Sequence, residues 1–215
     1  MNGLKGLLVL GPDSGLRDVF SLAQEAHAGR RVDALHVPSR DYYFFELGAL
    51  DNYPSDAWDV CLAVNEFYIN DVRRALRELV VARGYQLVGA ISPNARIDPS
   101  VSMGENVVVH SGCFVGAGSQ VGDLAVLRPN VVLSEDVFIG RFVTLEANVS
   151  VREGSVIGNF TTICANSSLA RMTRVGEHCY LNIPKLYSGE IASGTFYSGM
   201  FENPVRVLLG TQPIE

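Results

Sequence analysis

The chain has 215 residues, a formal net charge of −6 and a hydrophobic content of 47%. This composition indicates a globular protein with enough chain to bury a core, and the acidic balance argues against a general nucleic-acid or membrane-surface role. With no apolar run long enough to cross a bilayer and no secretory leader, the expected location is cytoplasmic. The four cysteines stand outside CxxC spacing, which favours free thiols and no metal site: Cys61, Cys113, Cys164 and Cys179.

The first ninety residues alternate predicted strands and helices. Asp13 or Ser14 is the expected N-cap of the first helix, and Asn70 that of the second, whose polar face carries Arg73 and Arg74. This alternation predicts a small Rossmann-like parallel α/β domain over residues 1–90. Strands are expected at 4–10, 32–37, 59–64 and 85–91, and helices at 16–27 and 70–84.

The loop after the first strand is the expected ligand site of this domain. In a parallel α/β sheet this loop meets the N-terminus of the first helix, where backbone N–H groups attract anions. Gly11, Asp13 and Ser14 are therefore the predicted substrate-binding residues. The sequence Gly-Pro-Asp-Ser-Gly is not a dinucleotide fingerprint, so a plain strand–helix connection stays open as the alternative.

A hexad repeat runs from Ile91 to Leu181. Sixteen successive positions in this register are aliphatic or Met, and the position four later is small or β-branched until Lys185. A period of six fits neither a helix nor an ordinary strand. It predicts short strands that turn once in every hexad, three of them forming one coil of a triangular solenoid.

Two columns of residues spaced by three hexads support the triangular coil. Five glycines are expected to stack at one corner, where a positive φ would favour glycine: Gly104, Gly122, Gly140, Gly158 and Gly176. Three asparagines are expected to stack and hydrogen bond at a second corner: Asn130, Asn148 and Asn166.

An apolar stripe is predicted on the outer face beside the glycine corner. Such a stripe is too large to remain in water, so we expect it to contact another subunit. Its members are Leu124, Val126, Phe142, Thr144, Phe160, Thr162, His178 and Tyr180.

An α/β domain followed by hexapeptide repeats resembles the sialic-acid O-acetyltransferase and bacterial aminosugar N-acetyltransferase group. Residues 84–109 and 130–143 carry the resemblance most clearly. It implies a left-handed parallel β-helix over 91–215 with a C-terminal tail, and a homotrimer that binds acetyl-CoA between subunits. It also implies that the α/β domain binds a nucleotide-linked sugar, whose amine or hydroxyl receives the acetyl group.

The resemblance places the predicted catalytic corner at Ser134-Glu135-Asp136. The family has Glu-His-Asp/Glu there, so Glu135 replaces the His base, and Glu135 with Asp136 are the predicted catalytic residues. Thr144 stands where a second family His often lies. Thr144, Ala165 and Lys185 are the predicted cofactor-binding residues, with Arg206 as a further candidate for the CoA phosphates.

Other departures and residues leave alternatives open. Tyr42-Tyr43-Phe44-Phe45 stands where the family often has acidic residues. His110 is predicted to belong to a polar ladder, and His178 to be either an interface residue or a catalytic one. With only these two His in the repeats, the zinc site of the hexapeptide carbonic anhydrases is not expected.

The leading functional prediction is an acyl-CoA-dependent acyltransferase that acetylates the amine of a nucleotide-linked aminosugar with little help from a His base. A deprotonated amine attacks a thioester more readily than a hydroxyl, for which a base matters more. The alternative is an inactive homologue that serves binding or assembly in a polysaccharide pathway. A different acyl group or acceptor is a third possibility.

Overall fold

The computed structural model describes residues 4–12, 15–39, 44–64 and 70–206. The chain begins with an α/β unit whose three-stranded parallel sheet has the order β2–β1–β3. No helix in the described ranges is long and apolar enough to cross a membrane. The elements of this unit are β1 (Gly6–Gly11), α1 (Gly15–Ala26), β2 (Val32–His36), a 3-10 helix (Gly48–Asn52), β3 (Trp58–Leu62) and α2 (Asn70–Val81).

The two faces of this sheet pack in different directions. Leu7 and Val9 of β1 meet the apolar side of α1, whereas Leu8 and Leu10 join the cluster that contains α2. This alternation is the expected consequence of period two along a strand. The predicted caps Asp13 and Ser14 lie outside the described residues.

The fourth strand predicted for this sheet does not form. Residues 85–91 run beside β3 through a single parallel bridge between Val60 and Leu87. The chain then separates from the sheet of the α/β unit, and Ala90–Ile91 forms the first strand of the solenoid instead. The prediction of a strand over 85–91 is therefore wrong for most of its length, because this segment is shared between two sheets.

The rest of the chain forms a parallel β-solenoid of about six turns, consistent with a left-handed β-helix. Three sheets of short strands line its faces, and over most of its length adjacent strands in a sheet are separated by one coil of three hexads, as in the pairing of Val126 with Thr144. Sheet 1 contains β4 (Ala90–Ile91), β7 (Val108–Val109), β10 (Val126–Leu127), β13 (Thr144–Leu145), β16 (Thr162–Ile163), β19 (Tyr180–Asn182), β22 (Thr195–Ser198) and the antiparallel β23 (Val205–Arg206). Sheet 2 contains β5 (Arg96–Ile97), β8 (Phe114–Val115), β11 (Val132–Leu133), β14 (Ser150–Val151), β17 (Ser168–Leu169) and β20 (Leu186–Tyr187). Sheet 3 contains β6 (Ser102–Met103), β9 (Gln120–Val121), β12 (Phe138–Ile139), β15 (Val156–Ile157), β18 (Arg174–Val175) and β21 (Glu190–Ile191).

The hexad period describes the solenoid interior correctly. Its register positions from Val109 to Leu181 are buried in one continuous core, together with the small residues four positions later. Ile91, at the open first end, stays 37% exposed. The asparagine column is confirmed, because Asn130 donates to Asn148 at 3.2 Å and Asn148 to Asn166 at 3.0 Å.

The predicted reason for the glycine column is wrong. These glycines do not have positive φ; the residues that do at this corner lie two positions later. At Gly140 an added Cβ would lie 2.7 Å from the backbone nitrogen of Asn159 in the next coil, so glycine is needed for close stacking. The positive-φ column at the corner between sheets 3 and 1 is Asn106, Leu124, Phe142, Phe160, His178 and Gly194.

The α/β unit lies on sheet 1 and covers much of the apolar stripe. Leu124 and Phe142 are buried in the same cluster as α2, and Val108 packs with α1. The prediction that this part of the stripe contacts another subunit is wrong, since the covering partner is the chain's own first unit. Phe160, His178 and Tyr180, further along, are only half-buried.

Candidate functional site

A buried polar network joins α2 to the middle of sheet 1. The Arg73 guanidinium donates to the carbonyl oxygen of Leu124 at 2.7 Å, to that of Phe142 at 3.1 Å, and to the Thr144 hydroxyl at 2.5 Å. It also donates to the side-chain oxygen of Asn70. Arg73 is 2% exposed, so its predicted place on the polar outer face of the helix is wrong.

Thr144, one of the predicted cofactor-binding residues, is part of the same network. Thr144 is 2% exposed and donates to Asn70 at 3.1 Å, while Asn70 donates to Thr162 at 3.1 Å. In this arrangement the Thr144 side chain faces its own α/β unit and is not available to a cofactor. The helical periodicity of α2 identified an apolar face but gave no sign that Arg73 would be buried beside it.

A second polar group lies at the corner between sheets 1 and 2, under the start of α1. Arg128 donates to the Asp18 carboxylate at 2.6 Å, and His110 lies 3.7 Å from the same oxygen. His110 is 4% exposed and its Nε2 lies 3.5 Å from the Arg128 guanidinium, so this contact of the predicted polar ladder is present and is joined by Asp18 from the other unit. The gap between this corner and β3 has a volume of about 10 Å³, room for at most one water molecule.

The other described residues predicted to bind substrate or cofactor are Gly11, Ala165 and Lys185. Gly11 is buried, and a Cβ there would lie 2.1 Å from the Ala63 carbonyl oxygen, so packing already requires glycine. The Ala165 backbone N–H donates to the Glu146 carboxylate at 3.0 Å. Lys185 turns its ammonium group over the Tyr197 ring, 4.3 Å from its centroid. Tyr42 and Tyr43 lie outside the described residues.

The predicted catalytic pair lies on the opposite edge of the solenoid. Glu135 and Asp136 form the corner between sheets 2 and 3, which faces away from sheet 1 and the α/β unit, and both are exposed. Asp136 has a φ of 55° and its nitrogen donates to Ala117 in the preceding coil. A single chain therefore does not bring Glu135 together with Gly11, Thr144 or Lys185.

The cysteines are unsuited to nucleophilic chemistry. Burial raises the pKa of the Cys61 thiol to about 12 and that of Cys113 to about 11. Burial also raises the pKa of Cys164 and Cys179. The reactive thiolate is accordingly scarce near neutral pH at all four positions.

The half-buried end of the stripe forms an aromatic stack. The Phe142 and Phe160 ring centroids are 4.7 Å apart with planes 5° from parallel, and Phe160 and His178 repeat this at 4.7 Å and 10°. Tyr180 and Phe196 stack beside them at 5.3 Å. A cavity of about 180 Å³ lies elsewhere, between His27 at the end of α1 and Met103 in the first coil.

A β-solenoid of hexapeptide repeats covered on one face by an α/β unit is the class of fold that these elements define. No protein-family model matches the chain, and no curated protein matches its sequence. Solved structures do match in fold.

The acetyltransferase domain of PglB from Neisseria gonorrhoeae FA1090 superimposes with a TM-score of 0.81 at 22% identity, covering 94% of this chain and 100% of that one. Its complex with acetyl coenzyme A has a TM-score of 0.77 over the same shares, also at 22% identity. PerB from Caulobacter crescentus, in complex with CoA and GDP-perosamine, has a TM-score of 0.53 at 21% identity, covering 90% of this chain and 94% of that one. The chain therefore shares the fold of these acetyltransferases.

Proposed function

We propose that this protein is an acetyl-CoA-dependent N-acetyltransferase that acts on the amine of a nucleotide-linked aminosugar. The observation that carries the proposal is the match over 94% of the chain, α/β unit included, to an acetyltransferase domain that binds acetyl coenzyme A. The structure of PerB with CoA and GDP-perosamine supports a sugar nucleotide as acceptor. The proposed role of the first unit is that of a Rossmann-like acceptor-binding domain.

The proposed active form is a homotrimer, because one copy separates the predicted residues. The corner that carries Glu135 and Asp136 is the edge of the prism most distant from sheet 1. A neighbouring copy would bring its own α/β unit, and the acceptor bound there, to this corner. Sheets 2 and 3 offer exposed apolar side chains for such contacts, among them Phe114 at 39% and Phe138 at 43% exposure.

In the proposed reaction the sugar amine attacks the thioester carbonyl carbon, the carbon–sulfur bond breaks and the CoA thiolate leaves. The proton lost by the nitrogen passes to the Glu135 carboxylate, with Asp136 beside it. General bases contribute about 10²–10⁴ in rate, and an amine that is already partly deprotonated requires the lower end of that range. This accounts for a site that works without the His of similar proteins.

Titration calorimetry with acetyl-CoA and with CoA is the first test. Binding of acetyl-CoA at micromolar concentrations, and release of free CoA when a nucleotide-linked aminosugar is added, are expected. Absence of binding by both ligands at high micromolar concentration overturns the proposed function. Light scattering tests the trimer, whose mass is three times the chain mass of 23.3 kDa.

A matched pair of variants tests the base. Glu135→Ala is expected to lower kcat about 10²-fold with little change in acetyl-CoA affinity. Glu153→Ala is the control, because Glu153 occupies the same corner one coil further and pairs there with Arg171 at 3.1 Å. Equal activity of the two variants refutes the base role and leaves the transferase proposal in place.

An assembly protein without catalysis is the second candidate. The observation that favours it is the enclosure of Thr144 beneath α2, at the position where similar proteins often have a His. Binding of a sugar nucleotide without binding of acetyl-CoA selects this candidate. Under it, Glu135→Ala leaves every measured affinity unchanged.

A further inference from the structure

We propose that the end of the aromatic stack at the corner between sheets 3 and 1 binds the planar base of a nucleotide, which stacks on His178 while Arg74 and Arg206 meet its phosphates. This inference deepens the proposed function and rests on it for the source of the nucleotide. Acetyl-CoA and a nucleotide-linked sugar both carry such a group.

Among the described residues, the column continues beyond His178 with Gly194, which has no side chain to cover the ring. His178 occupies the positive-φ position of its coil, with a φ of 54°, and its nitrogen donates to Asn159 at 2.8 Å in the coil below. Gly194 occupies the same position one coil further, with a φ of 72° and an equivalent bond to Glu177 at 2.8 Å. Because glycine has no side chain, Phe160 is the one ring among the described residues that stacks on His178.

His178 differs from the buried members of the positive-φ column in its exposure. At positive φ, Asn, Asp and His are the non-glycine residues that occur most often, and other side chains are disfavoured. Asparagines occupy most of a neighbouring corner, for example at Asn148. Phe142 offsets the cost by burial against the α/β unit. His178 is half-exposed, so one face of its ring is open to a ligand rather than packed against the α/β unit.

Two exposed arginines, Arg74 and Arg206, lie near the residues of this column. The Arg74 guanidinium lies 5.8 Å from the Phe160 centroid, and its side chain is 55% exposed although Asp71 lies 3.4 Å away. The Arg206 guanidinium donates to the Ser193 carbonyl at 3.3 Å, one residue before Gly194, and Arg206 is exposed.

The acidic residue next to His178 does not oppose an anion above the ring. Glu177 accepts a hydrogen bond from Asn159 at 2.7 Å, which turns its carboxylate towards the coil below.

An exposed ring with guanidinium groups near its column suits a ligand with a planar base and several phosphates. Bases stack on aromatic side chains with little dependence on sequence, and arginine pairs with phosphate through its planar fork. The Tyr180–Phe196 pair continues the aromatic surface.

The test measures calorimetric affinity for three probes: adenosine bisphosphate, which is the nucleotide end of CoA, GDP and UDP. His178→Asn removes the ring but keeps a residue suited to positive φ, so the fold is preserved. His178→Phe keeps the ring. We expect one class of probe, either adenosine bisphosphate or the nucleoside diphosphates, to bind. His178→Asn should weaken that binding about 5- to 150-fold, whereas His178→Phe should bind with an affinity close to that of wild type. Arg206→Gln is expected to weaken binding and reduce its salt dependence.

The outcomes separate this inference from the proposed function. Tighter binding of adenosine bisphosphate identifies the donor as the source, and tighter binding of GDP or UDP identifies the acceptor. Equal affinity of His178→Asn and wild type, with acetyl transfer intact, overturns the inference alone. A change in oligomer mass in His178→Asn also overturns it, because the occupant is then another copy. Failure of wild type to bind any of the three probes overturns it as well.

Discussion

Replacing Arg73 tests whether the buried network holds the two parts of the chain together. Arg73→Met keeps most of the volume but removes the donors to Leu124, Phe142 and Thr144. Hydrogen bonds from a charged donor contribute about 1.5–3 kcal/mol, and buried acceptors left without partners cost about 1–3 kcal/mol each. The variant no longer has to bury a guanidinium, which offsets part of this loss. We therefore expect a net destabilisation of about 3 kcal/mol.

The matched control is one helical turn away. Arg77 lies on the same helix and reaches the same corner, where it pairs with Glu105 at 2.5 Å, but both side chains are about one-third exposed. Exposed pairs contribute about 0–1 kcal/mol, so Arg77→Met should change stability little.

Urea unfolding followed by the fluorescence of Trp58 is the assay. Trp58 is the single tryptophan and lies 8% exposed in the α/β unit, so it reports the loss of that unit. A parallel heat-unfolding experiment uses the same signal. The midpoint temperature of Arg73→Met should fall by about 6–12 °C, because a loss of 1 kcal/mol lowers the midpoint by about 2–4 °C in a chain of this size. Equal midpoints for the Arg73 and Arg77 variants would refute the reasoning.

Three further predictions concern single positions. Gly140→Ala should destabilise by about 1–3 kcal/mol in urea because its Cβ would meet the next coil at 2.7 Å, whereas Gly199→Ala, with open space around it, should have no effect. Met172→Asn should stabilise by about 0.5–1 kcal/mol, since Met172 is exposed at a φ of 58° that asparagine tolerates better; a lower urea midpoint contradicts this. Stability should fall as pH rises above 9.0, because burial raises the Cys61 pKa to about 12 and the folded state then holds a proton that the unfolded state loses. The stability of Cys61→Ala should decline less over that range, and an identical decline would exclude this thiol as the cause.

The sequence predicted the solenoid well because its inward positions repeat without interruption. From Val109 onwards the coils bury the same two register positions, so a local pattern such as that of Leu127 and Val131 specifies the fold coil by coil. The asparagine column was predictable for the same reason. The glycine column was recognised but explained wrongly, because spacing identifies a corner without distinguishing positive φ from the close approach of the next coil at Gly140.

The candidate site was less predictable, because it depends on long-range packing. Arg73 looked like a surface residue on its helix, and its partners at Leu124 and Phe142 lie 51 and 69 residues away. Nothing in a local pattern connects such positions. The stacking of Phe160 and His178 follows from their separation by one full coil. The next coil is shorter, and this shorter coil places Gly194 at the following position of the column.

The sequence by itself determined a triangular solenoid preceded by an α/β unit, because the hexad repeat and its grouping into coils of three decide which side chains point inward. Only the tertiary structure decided which outer face is covered. Apolar side chains occur outward on all three sheets, at Phe114, Phe138 and Val126, so outward hydrophobicity does not identify the face that the α/β unit occupies. That choice buries Thr144 and leaves Glu135 on the far edge. It also leaves His178, at the end of the aromatic stack, half-exposed.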